Sequence, residues 1–217
     1  MIERHIQGLH TDDAGQEAPG ATRERLKASF PPGATRRMTT LGLLVGSTLS
    51  RIGPREDETL VYASAYAESC ALEGFLDSFP TPSPTLFQTS IHPSAVQQLM
   101  IGGQRPVREF LPLSGGRLLA FHALRASLLA TGPGAVLCGG EEKGTWLLEH
   151  GLASDRTFAF AARLGRQAAE GTVGTLRLDR GDGTGELGLP ALFDLLHGRR
   201  AWEGFVAPGW RLSITWR

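Results

Sequence analysis

The sequence predicts an α/β fold, a mixed β-sheet flanked by helices, and three observations carry that expectation. A chain of 217 residues with 41% hydrophobic composition can bury a sizeable core in one domain covering residues 1–217. Residues 106–142 read as strand, small-residue turn, helix and strand, the order of a β-α-β crossover. Beyond Glu142 the chain changes to segments that alternate apolar and polar side chains, as half-buried strands do.

Taken in order, residues 2–9 form a first strand and the polar, glycine-containing stretch 10–20 a loop. Residues 23–28 add a helical turn. A longer helix runs over residues 35–50 with Thr35 as its N-cap and Met38, Leu41, Val45 and Leu49 on one face. The 53–58 loop returns the chain to a strand at 60–65. Residues 68–79 carry Leu72, Phe75, Leu76 and Phe79 at helical spacing, and the proline cluster 80–84 ends that helix. The apolar run 106–113 leads through Ser114-Gly115-Gly116 into a helix over 117–130, with Leu118, Phe121, Leu124 and Leu128 recurring at helical spacing. That helix is expected to be central and buried, with Arg117 and Arg125 toward its rim, because an unpaired guanidinium is costly to bury. After the Gly132-Pro133-Gly134 stop, the 135–139 strand runs into Gly140-Glu141-Glu142. Strands at 157–162 and 173–178, a solvated hairpin turn at 179–186, a helix at 190–197 and a half-buried strand at 210–216 complete the chain.

Charge and cysteine usage exclude several classes of function. Twenty-two basic and 22 acidic residues give a formal net charge of zero, which argues against a general polyanion-binding surface, and Arg199-Arg200 is too small a patch to imply nucleic acid. Cys70 and Cys138 sit in apolar segments without metal-ligand or CxxC spacing, so reduced buried thiols are expected, with no metal and no cofactor. The N-terminus lacks an apolar signal core and the run 41–46 is too short to span a bilayer, which points to a cytoplasmic location.

Ser114 stands where a strand turns into a helix, the position of a nucleophile in many hydrolases. Only half of the Gly-x-Ser-x-Gly signature is present: Gly116 fits, but Pro112 replaces the first glycine. The later histidines His122, His150 and His197 are placed by no local pattern. The readings that remain are a Ser114 hydrolase or thioesterase and a structural serine capping the following helix. His92, in Ile91-His92-Pro93, either hydrogen-bonds backbone across a turn or acts as a catalytic histidine. The carboxylates Asp179, Asp182 and Glu186 lack the spacing of a calcium loop.

Residues 106–142 resemble the part of a β-ketoacyl synthase around its active-site cysteine, where a small-residue turn opens a buried helix and a strand ending Gly-Gly-Glu follows. Residues 83–95, Ser-Pro-Thr-Leu-Phe-Gln-Thr-Ser-Ile-His-Pro-Ser-Ala, resemble a stretch of the stand-alone β-ketoacyl synthase-like N-terminal domains, and the strand 60–65 is similar to one those proteins carry. The resemblance covers residues 36–163 and implies a single thiolase-like half. It departs at the elbow, since the synthase cysteine falls on Ser114 and no cysteine lies between Gly102 and Leu137. The family's second half, with its catalytic histidines, has no counterpart here. The resemblance therefore implies a non-catalytic accessory subunit, like a chain length factor, in a type II fatty-acid or polyketide-like pathway such as aryl polyene synthesis. It implies a full-length β-ketoacyl synthase and an acyl carrier protein as partners, with a homodimer as the other possible assembly. Ser114, Gly115, Gly116 and His92 are the candidate binding residues, and a plain acyl or coenzyme A binding module is the further alternative. An exposed apolar patch near residues 83–95 and 106–113 is expected to mark the contact.

Overall fold

The computed structural model describes residues 1–31 and 33–217. Strand β1 (Ile2–Asp13) pairs antiparallel with β5 (Phe158–Gly165) on one side and β6 (Gly174–Arg180) on the other. Strand β2 (Thr59–Ser64) lies parallel between β3 (Glu109–Ser114) and β4 (Gly134–Glu141), and β4 joins antiparallel to β5. A closing hairpin, β7 (Trp202–Ala207) and β8 (Trp210–Trp216), adds to β6 through β8. The result is one mixed eight-stranded sheet in the order β3-β2-β4-β5-β1-β6-β8-β7, with β3 and β7 at its edges.

Helices cover both faces. On one side α6 (Leu119–Leu129) and α8 (Leu189–His197) bury Leu124, Leu128 and Phe193 against Val61, Leu137 and Phe160 of the sheet. On the other, α2 (Thr40–Ile52), with α1 (Pro19–Lys27) and α5 (Ser94–Gly102) beside it, buries Leu44, Val45 and Leu49 against Leu60, Tyr62, Val136 and Cys138. Every residue of β2 and β4 is buried, which is why both read as nearly continuous apolar runs. The connection β3-α6-β4 crosses over β2, the crossover read from the sequence. Its helix is the buried one expected, with the Arg117 side chain outside at 85% exposure and paired to Glu186.

Several boundaries differ from expectation. Residues 10–13 continue β1 rather than starting a loop, and α1 begins at Pro19 within the stretch read as irregular. The helix expected over 35–50 is split into a 3-10 turn (Ala34–Arg37) and α2, which Thr39 caps instead of Thr35, its Oγ1 accepting the Gly42 N–H at 2.9 Å. The cause is tertiary: Arg23 on α1 donates to the carbonyls of Thr35 and Met38 and so holds the chain in the tight turn. Residues 179–186 form no hairpin; they lead from β6 to α8, with Gly183 against the Phe205 ring and Gly185 against the Cβ and carbonyl of Phe205. The helices α3 (Ser69–Leu76), α4 (Pro84–Thr89) and α7 (Trp146–Glu149) complete the set, α4, α5, α7 and β7 being elements the pattern reading did not anticipate.

The C-terminus of α6 is closed by arginines. Arg4, 6% exposed, donates from Nε to the Leu128 carbonyl at 3.1 Å and from Nη2 to that of Ala130 at 2.8 Å, and Arg166 donates to the carbonyls of Ala130, Thr131 and Gly132. Positive charge at a helix C-terminus also complements its dipole. Arg4→Ala would strand the Leu128 carbonyl and leave that of Ala130 to Arg166 alone, so a loss of about 1–3 kcal/mol is expected. Urea unfolding checks this; an unchanged midpoint would mean that water replaces the guanidinium.

Candidate functional site

The carboxyl ends of β2, β3 and β4 come together at the elbow that precedes α6. Gly115 and Gly116 have φ of 69° and 82°, the left-handed region that a side chain disfavours, and this pair turns the chain from β3 into the helix. Gly139 on β4 is needed for a different reason: a Cβ there would lie 2.6 Å from the Ala63 carbonyl and 2.9 Å from the Phe160 ring. Strands β2 and β4 can then approach closely just below the elbow.

Ser114 is exposed and its hydroxyl makes no hydrogen bond among the described residues. It does not cap α6, contrary to the structural role considered for it. The N-cap position is Leu118, with no side-chain bond, and the helix begins two residues later than expected. Beside the elbow lies a cavity of about 210 Å³, lined by Gly116, Arg117 and Leu119, by Ala65 and Tyr66 after β2, and by the start of α8. Neither Ser114 nor any histidine lines it. His122 is exposed on α6, and His197 Nδ1 lies 2.9 Å from Thr11 Oγ1.

The titratable group buried at this cavity is Glu141. Its carboxylate accepts from Ser64 Oγ and from the backbone N–H groups of Ala65 and Tyr66. Burial outweighs these bonds and raises its pKa from the ordinary 4.5 to about 7. Three further glutamates repeat the device around it. Glu68 accepts the Ala95 N–H at the start of α5, Glu73 accepts those of Thr145 and Leu147 at α7, and Glu142 accepts that of Leu41 at α2. Each ties a loop or helix start to this end of the sheet. The four carboxylates are thus engaged as braces, a role that only Gly-Gly-Glu-Glu hinted at in the sequence.

His92 is held by this framework rather than by backbone. Its Nδ1 lies 3.0 Å from Glu68 Oε2, and its ring stacks on Tyr62 with centroids 5.1 Å apart. Among the described residues neither Nε2 nor the Tyr62 hydroxyl, both buried, has a hydrogen-bond partner. Elsewhere in the region Cys70 is half-buried and Cys138 buried, both free. Burial, then Glu142 and Glu73, push the Cys70 thiol up to about 12, and burial raises that of Cys138 as well. Neither thiol is poised as a thiolate.

Outside the elbow, α3 and α4 present apolar side chains to solvent. Leu72, Leu76, Phe79, Phe87 and Ile91 are between 37% and 56% exposed, and Phe75 ties the group together through ring contacts to Phe79 and Phe87 at 5.5 and 5.3 Å. One sheet edge is β3, whose outer side is unpaired and whose Leu111 is exposed. Phe87 and Ile91 fall within 83–95 and Leu111 within 106–113, the segments near which an interface was expected, whereas Leu72, Leu76 and Phe79 lie ahead of both.

No protein-family model and no curated protein matches the chain. Solved structures do. The chain has the thiolase-like fold of ketosynthases and chain length factors. A chain of the ketosynthase ApeO in complex with its chain length factor ApeC, from Xenorhabdus doucetiae, superposes with a TM-score of 0.70 at 18% identity, covering 99% of this chain and 100% of that one. The ishigamide ketosynthase/chain length factor superposes with a TM-score of 0.57 at 11% identity, covering 83% of this chain and 68% of that chain. Among the described residues no helix is long and apolar enough to cross a membrane.

Proposed function

We propose that this protein is a chain-length-factor-like accessory subunit that pairs with a full-length β-ketoacyl synthase in a type II fatty-acid or polyketide-like pathway, aryl polyene synthesis among them. The observation that carries the reading is the end-to-end superposition on a chain of a ketosynthase and chain length factor complex, combined with an elbow that bears an unassisted serine. A condensing enzyme needs a nucleophile of depressed pKa and a partner that stabilises charge. Here Ser114 is hydrogen-bonded to no base among the described residues, and Glu141 is committed to three donors. In this reading the chain shapes a partner's acyl site instead of forming acyl bonds itself, with Ser114, Gly115, Gly116 and His92 at or near the surface that borders it. An acyl carrier protein supplies the partner's substrate, and the location is the cytoplasm.

The α3-α4 surface and the open β3 edge supply what a heteromer needs, exposed apolar side chains on one and unpaired backbone groups on the other. Co-expression with a full-length synthase followed by size-exclusion chromatography with light scattering is expected to give a heteromer. A strictly monomeric chain that ignores the synthase would sink the proposal. Incubation with malonyl and acyl thioesters is expected to leave the intact mass unchanged. A mass gain that disappears in Ser114→Ala would instead make the protein an acyl-transfer enzyme or hydrolase.

A further inference from the structure

We propose that the cleft between the Ala34–Arg37 turn and α5 binds an amphipathic anion, a monomeric molecule with an apolar chain ending in a phosphate or carboxylate. The cleft encloses about 490 Å³ and lies on the α2 side of the sheet, the face opposite α6. That volume falls within the range of roughly 300–1,000 Å³ common for small-molecule sites.

Its floor is apolar because α2 carries a glycine beneath it. A Cβ on Gly46 would lie 3.1 Å from the Met38 methyl and 3.2 Å from the Phe30 ring, so both side chains settle over the helix there. Leu99 and Ile101 of α5 form the opposite wall, Ile101 at 72% exposure. Around this trough stand Arg36, Arg37 and Arg105. Among the described residues none of the three guanidiniums makes an ion pair or a hydrogen bond, and no carboxylate lines the cleft.

In a chain with as many acidic as basic residues this concentration calls for an explanation. Arg25, Arg117, Arg156, Arg163, Arg177 and Arg211 each face a carboxylate within 3.1 Å. Arg51, Arg55, Arg108, Arg199, Arg200 and Arg217 also lack a partner among the described residues, but the three at the cleft gather around one apolar trough, and Arg23 fixes the turn that carries two of them through its bonds to Thr35 and Met38. Arg36 and Arg37 also border a second cleft containing Glu142, but that carboxylate is tied to the Leu41 N–H. Guanidinium groups suit phosphate and carboxylate oxygens, whereas the trough suits a hydrocarbon chain. An occupant must supply both.

Calorimetric titration with dodecyl phosphate below its critical micelle concentration tests this, run beside inorganic phosphate, dodecyl maltoside and phosphatidylglycerol vesicles. Saturable one-to-one binding is expected, at least about tenfold weaker for the Arg36→Gln, Arg37→Gln, Arg105→Gln triple variant and weakened by added salt. The positions are exposed, and a melting curve checks that the variant folds. Ile101→Asp, a single exposed change, is expected to weaken dodecyl phosphate as well and gives an independent reading of the chain-binding wall. Equal affinity in the triple variant, equal binding of dodecyl maltoside, or inorganic phosphate binding as tightly as the amphiphile would each overturn the proposal. Binding to vesicles without binding of monomeric dodecyl phosphate would overturn it in favour of a membrane contact. Because no synthase is in the titration, failure here leaves the pairing proposal standing, and the reverse also holds.

Discussion

Replacing Leu76 and Phe87 together by aspartate is expected to abolish copurification with a full-length β-ketoacyl synthase while leaving the monomer folded. Both side chains are already substantially exposed, at 40% and 50%, so the free chain loses little packing. In a complex they would be desolvated, and each aspartate would then be a buried charge without a partner. A well-buried apolar anchor contributes about 2 kcal/mol or more, so two such losses amount to roughly a thousandfold in affinity. Leu129→Asp makes a stringent control, because Leu129 is equally exposed but stands at the far end of α6, beside Arg4 and away from the elbow. Undiminished copurification of the Leu76, Phe87 variant would remove α3 and α4 from the interface. Loss in both variants would indicate a fold defect, which circular dichroism would show.

What the sequence disclosed follows from how local each determinant is. The β3-α6-β4 crossover was legible because its turn is glycine-rich, its helix has a clean apolar stripe and its second strand is a continuous apolar run, all within residues 106–142. The short helices after the proline cluster were harder to see. Ser83-Pro84 is a helix-start signature, with Ser83 Oγ accepting the Leu86 N–H, yet six residues give too little periodicity to register. The shift of the α2 start from Thr35 to Thr39 depends on Arg23, a contact that no local pattern announces. Likewise His92 could be singled out from its motif, but not its partner Glu68, which is 24 residues away. The glutamate braces were hidden for the same reason: a carboxylate accepting distant backbone N–H groups looks in sequence like an ordinary surface acid. The open arginines at the cleft of α5 were hidden by averaging, since a zero net charge conceals where charges are paired and where they are not.

Lowering the pH from about 7.5 to about 5 is expected to stabilise the wild-type chain relative to Glu141→Gln. Glu141 has an ordinary pKa of 4.5 and a folded one of about 7, raised chiefly by burial. Between those values the folded state holds a proton that the unfolded state has released, so stability falls as pH rises through the window and the penalty is complete above it. The separation, which already includes the opposing pull of the bonds from Ser64, Ala65 and Tyr66, corresponds to roughly 3 kcal/mol. Glutamine removes the titration and keeps one oxygen, which suits the Ala65 N–H now on Oε1, but its NH2 takes the place of Oε2 and gives up the bond from the Tyr66 N–H. The variant should therefore lose most of the pH dependence that Glu141 contributes, so its stability relative to wild type should rise by up to about that amount between about pH 5 and pH 8, whatever constant offset the lost Tyr66 bond adds. Other groups, the buried Glu142 included, titrate in both proteins and cancel in the difference. Urea midpoints at about pH 5, 6, 7 and 8 give the comparison directly. Parallel curves for the two proteins would show that Glu141 ionises like an exposed carboxylate, and its place as a buried brace between β4 and the residues following β2 would then have to be abandoned.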